Sequence, residues 1–117
     1  MSPIRDIWFR SSLSLLDLGH VLELNDLSYG SENYWEWVIG HRAEMKLDIT
    51  RTHSKPAGET ETRIFRLDKN EFTEAQIHEI ASMLSAVVDS DVVWGHWAHT
   101  KGNEFDHVEV SRASCKR

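Results

Sequence analysis

The 117-residue chain predicts an α+β fold: an antiparallel sheet of about six strands with two helices on one face, in the order β-α-β-β-β-α-β-β. Three observations carry this. At residues 43–52, Ala43, Met45, Leu47 and Ile49 alternate with Glu44, Lys46, Asp48 and Thr50. Such alternation gives a strand one dry and one wet face, as in an antiparallel rather than a parallel sheet. Two other segments place apolar residues at helical spacing behind a capping residue. Residues 92–110 read as two strands around a polar loop. A chain of this size buries roughly two-thirds of the surface it exposes when unfolded, enough for stability without covalent staples. The expected organisation is a single α+β domain over residues 1–110 and a flexible basic tail over residues 111–117.

In order along the chain, Ile7-Trp8-Phe9-Arg10 forms a short strand that Ser11-Ser12 breaks. Ser14 caps a helix with Asp17 in its first turn, and Leu15, Leu18 and Leu22 share one face. Residues 25–33, NDLSYGSEN, read as a loop. From Tyr34 the period becomes two, with Trp35, Trp37 and Ile39 on the apolar face and Tyr34, Glu36 and Val38 on the other. Gly40-His41-Arg42 connects to the strand at 43–52, and a turn at 54–58 leads to its partner at 60–67. Thr73 with Gln76 three residues later is a capping box, and Glu74 suits the positive end of the helix. Ile77, Ile80, Ala81, Leu84 and Val88 form its apolar stripe, and Asp89-Ser90-Asp91 ends it. Strands at 92–99 and 104–110 then flank the loop 100–103.

Formal net charge is −6, with seven acids in residues 17–48 and nine in residues 68–109. An acidic balance argues against nonspecific nucleic-acid binding, which neutralises phosphates with Lys and Arg, and fits a basic partner. The single cysteine, Cys115, excludes an intramolecular disulfide and favours a reducing compartment. The first twelve residues hold no apolar run resembling a signal peptide. No window approaches the roughly 20 apolar residues of a membrane span. The expectation is a cytoplasmic protein that engages neither membrane nor nucleic acid.

The stretch closest to catalytic or metal chemistry is GHWAHTKGN at residues 95–103. On a helix His96 and His99 would share a face; on the expected strand they point to opposite faces, roughly 10 Å apart. The simplest metal clamp is thereby removed, leaving His41, His96, His99 and His107 as an alternative group only if they converge from separate strands. Asp106 and His107 are strand neighbours and face opposite ways. The chain has no G-x-S-x-G elbow, P-loop, G-x-G-x-x-G or H-E-x-x-H motif. No cofactor is expected, and catalysis is the lesser reading.

Five tryptophans, Trp8, Trp35, Trp37, Trp94 and Trp97, are many for so short a chain. Most belong in the core, yet Trp94 and Trp97 have opposite strand parity, which puts one at the surface unless a bulge at Gly95 intervenes. A surface tryptophan beside acids has the composition of a binding hot spot. The wet sheet face adds Tyr34 and Glu36 beside Glu44, Lys46 and Asp48.

In size, acidity, α+β build and lack of a catalytic motif, with segments such as ENYWEW and GNEFDHVEV, the chain resembles the small immunity proteins that bacteria keep against their own secreted toxins. That class resemblance implies a tight complex with a toxin domain, with acidic and aromatic residues at the contact. By strand parity the candidates are Tyr34, Glu36, Glu44, Asp48 and Trp97. The alternatives are a small histidine-dependent enzyme or metal or ligand binder, and a homodimeric structural protein.

Overall fold

The computed structural model describes the backbone of residues 6–99 and 105–113 and the side chains of residues 6–94. In chain order it forms β1 (Asp6–Phe9), α1 (Leu15–Val21), β2 (Asn25–Glu32), β3 (Trp35–Arg42), β4 (Met45–Thr52), β5 (Thr62–Arg66), α2 (Glu74–Leu84), β6 (Val92–His99) and β7 (Phe105–Ala113). The strands make one sheet ordered β2-β3-β4-β5-β1-β6-β7, and each neighbouring pair is antiparallel. The expected α+β class holds, with seven strands instead of six.

Both helices cover the same sheet face. Leu15, Leu18 and Leu22 around α1, and Ile77, Ile80 and Leu84 of α2, share one apolar cluster with Ile7, Phe9, Val38, Leu47, Ile49, Ile64 and Val92. The helices start where their caps dictate: Ser14 Oγ accepts from Asp17 N at 3.1 Å, and Thr73 and Gln76 exchange the two bonds of a capping box.

Connections at one end of this layer are sewn together by polar contacts. Ser11 Oγ donates to Val87 O at 2.7 Å, Asp89 N to Arg10 O at 2.7 Å, and Arg10 N to Ser90 Oγ at 2.8 Å. Arg51, only 3% exposed, enters the same region from β4 and donates to Ser11 O, Leu13 O and Thr62 Oγ1. Burial holds its guanidinium below its ordinary pKa, against the pull of Glu36 and Tyr29.

Several sequence expectations require correction. Residues 25–32, expected as a loop, are the edge strand β2. Its polar, glycine-containing sequence lacks alternation because most of its side chains are exposed; an edge strand needs no second apolar face. Gly40 lies inside β3 rather than in a connection, because Leu24 and Leu27 pack against its backbone. A Cβ there would stand 2.8 Å from Leu24 Cβ. The turn falls at Ala43-Glu44, with Ala43 exposed at φ 51° rather than in the core. The parity of β3 is also reversed: Val38 is fully buried under the helices, whereas Trp35 is 54% exposed on the opposite face. Both faces of β3 carry large apolar side chains, so alternation alone could not orient it. β7 continues to Ala113, opposite Val92, three residues past the expected domain boundary. Residues 114–117 lie outside the described residues.

Candidate partner-binding face

The two helices leave the other face of the sheet uncovered by helix. Its composition follows from the register. One cross-strand row runs Gly30, Trp37, Thr50, Arg63, Trp8 and Val93 from β2 to β6. The next runs Ser28, Ile39, Asp48, Phe65 and Asp6. Trp35 and Thr52 flank these rows at one end, His41 and Lys46 at the other.

The face is aromatic and apolar toward β3 and charged toward its middle. Trp37 lies over the β2 backbone at Gly30, where an added Cβ would come within 2.5–2.6 Å of the indole. This arrangement needs glycine and carries the aromatic surface out to the sheet edge. Trp35 stands beyond it, more than half exposed. Trp8, Asp6 and Asp48 are only 3%, 6% and 7% exposed, so the centre is buried although no helix lies over it.

Two buried carboxylates here meet different fates. Asp6 accepts an ion pair from Arg63 Nε at 3.3 Å, and the Arg63 guanidinium also lies 4.8 Å from the centre of the Phe65 ring. Asp48 receives the Thr50 hydroxyl on one carboxylate oxygen and has no ion pair among the described residues. Burial pushes its carboxyl above the ordinary range, outweighing the opposing pulls of Thr50 and Arg63.

The sequence candidates do not gather into one patch. Tyr34, 69% exposed, occupies the β2–β3 turn, while Glu44 occupies the β3–β4 turn and accepts from Gln76 Nε2 at 3.1 Å. The two lie roughly 30 Å apart along β3 at about 3.4 Å per residue. Glu36 pairs in register with Arg51, on the helix side of the sheet. Of the candidates whose side chains are described, only Asp48 is central to the helix-free face. The backbone of Trp97 stands opposite His107 in the β6–β7 ladder, and its side chain lies outside those described.

The alternative histidine group is split by topology. His41 is on β3, four strand positions from β6 and five from β7. At about 4.8 Å per strand, His41 is roughly 19 Å from the strand of His96 and His99. Among the described residues no group of three His, Cys, Asp or Glu side chains is placed to hold a metal.

A pocket of about 470 Å³ sits where α2 begins, lined by Glu44, Arg66, Lys69, Phe72, Thr73 and Gln76 among others. Its buried cation is occupied: Arg66 donates to Asp68, to Glu71 O and to Gln76 Oε1. Arg66 Nη2 lies 2.9 Å from Asp68 Oδ1 without an aligned N–H, so this contact is an ion pair rather than a hydrogen bond. The pocket is thus part of the α2 entry.

The sequence reading missed Trp35, Ile39 and Phe65 as members of this face. The usable signal was the register itself, since pairing Ile39 with Asp48 sets β3 parity from the unambiguous β4. Among the described residues no helix is long and apolar enough to cross a membrane. No protein-family model, curated protein or solved structure matches the chain.

Proposed function

We propose that this chain is a non-catalytic protein-binding protein that docks a basic partner on the helix-free face of its sheet, as a cytoplasmic inhibitor of the immunity or antitoxin type. The supporting observation is the strip of Trp35, Trp37 and Ile39 along β3, directed away from the core with Trp35 more than half exposed. Large aromatic side chains that the core does not need are characteristic of binding hot spots. The net charge of −6 would draw a basic partner toward the chain before contact.

The test is the affinity of the purified chain for a partner recovered from its host. Trp35→Ala and Ile39→Ser should each weaken binding at least tenfold without lowering the unfolding midpoint substantially. Leu16→Ser, on an exposed position of α1, should leave binding unchanged. Loss of binding in the Leu16 variant alone would move the interface to the helices and overturn the reading. A wild-type dimer that Trp35→Ala converts to monomer would instead make the face a contact between two copies.

A further inference from the structure

We propose that the centre of this face receives one cationic side chain of the partner, a lysine or arginine, with Asp48 as its counter-charge. The inference rests on the reading of the face as a docking surface. Asp48 is 7% exposed, flanked in register by Ile39 on β3 and Phe65 on β5, with Trp37 and Thr50 in the adjoining row. One carboxylate oxygen takes the Thr50 hydroxyl, and among the described residues no cation pairs with the group.

The chain's other strongly buried or anchored carboxylates show what is missing. Asp6 has Arg63 and Asp68 has Arg66. Burial of an ionised carboxylate without a cation is costly. The charged groups facing Asp48 do not cancel this cost, since burial outweighs the pull of Arg63. Arg63 on β5 is committed to Asp6 on β1 and lies over Phe65; Lys46 on β4 and His41 on β3 occupy the next row and are exposed. An incoming lysine or arginine would lay its methylene stem against Ile39 and Phe65 and bring its charge to the carboxylate. A guanidinium could also stack on an indole.

The first experiment is a nuclear magnetic resonance titration with N-acetyl-arginine amide and N-acetyl-lysine amide, using N-acetyl-citrulline amide as the uncharged isostere of arginine. The amides of Ile39, Asp48 and Phe65 and the indole N–H of Trp37 report. At least one cation should give saturable shifts, citrulline should bind at least tenfold more weakly, and Asp48→Asn should abolish the difference. Binding should weaken as pH falls and Asp48 takes up a proton. The Asp48→Asn chain should melt no lower than wild type, because it removes a charge the fold does not compensate. Equal binding of citrulline, undiminished cation binding by Asp48→Asn, or a fall of several degrees in its melting temperature would each overturn the proposal.

With the recovered partner, Asp48→Asn should weaken binding at least tenfold. If Trp35→Ala abolishes that complex while Asp48→Asn leaves it intact, the cation receptor falls and the docking face stands. If neither variant changes it, both readings fall.

Discussion

Strand β4 puts a buried charged residue on each face of the same sheet, and the two are treated differently. On the helix-covered side, Arg51 finds three oxygen acceptors that anchor the β1–α1 connection and reach across to β5. On the helix-free side, three residues earlier, Asp48 finds a single hydroxyl among the described residues. A buried charge held by several hydrogen bonds is explained by the fold that surrounds it. A buried charge held by one, on a face left open by the helices, is not explained by the fold in the same way, and it is the observation on which the proposed cation receptor rests. The contrast separates a charge that the fold accounts for from one that the described residues leave without a cation.

The largest expected effect tests the asymmetry of apolar packing. Leu47→Ala, in the core, should destabilise the chain by about 3 kcal/mol in urea unfolding, whereas Ile39→Ala on the other face should cost about 1 kcal/mol or less. Comparable losses would mean that the helix-free face is a second core.

Next comes Arg51→Ala, which leaves Ser11 O and Leu13 O without their buried donor. A loss of about 2 kcal/mol is expected, with faster amide exchange in residues 10–13 than in α2. Unchanged stability would show that water or another donor replaces the guanidinium.

The smallest effect is a pH slope. Folding raises the Asp48 pKa, chiefly through burial, so the native state binds its proton more tightly than the unfolded chain does. Stability therefore declines as pH rises from the ordinary carboxylate value, about 4, through the raised one; Asp48→Asn should remove that decline. Asp68 has the opposite sign. Desolvation pushes it upward, but the Lys46 and Asn70 N–H groups and Arg66 outweigh this and hold it below its ordinary value. Its stabilisation is present above the unfolded pKa and disappears as pH falls through the folded one, so Asp68→Asn should flatten the acid limb. Urea unfolding across the carboxylate range measures both, and identical profiles for the two variants would break the distinction.

The elements most legible in the sequence were those with one dry and one wet side. β4 and α2 declare themselves through period and caps, and their faces follow directly. β2 was hidden because an edge strand with exposed side chains has no apolar period to show. β3 was visible as a strand but not orientable, since Val38 serves the core while Trp35, Trp37 and Ile39 serve the other surface. Among the candidate contacts, Asp48 was found by parity on β4, where parity was secure. Tyr34 and Glu44 were grouped as neighbours because the turns at both ends of β3 were read into its strands. Phe65 and Arg63 reach Asp48 through the β4–β5 pairing that the turn at 54–58 announces, whereas Asp6 joins them only because β1 enters beside β5, a long-range choice that no local pattern encodes.

That entry of β1 has a consequence for how the molecule is made. The meander from β2 to β5 can form once Arg66 has left the ribosome, but β1, synthesised before all of it, occupies the middle of the finished sheet and pairs with both β5 and β6. Its second ladder does not exist until residues 93–95 have been translated. Until then the nascent chain holds a strand with one side unpaired and a sheet lacking its β6–β7 hairpin. A ribosome that stalls after β5 therefore releases a product with an open internal seam, the form that chaperones and proteases recognise. The order of synthesis thus makes completeness of the chain a condition for closing the sheet.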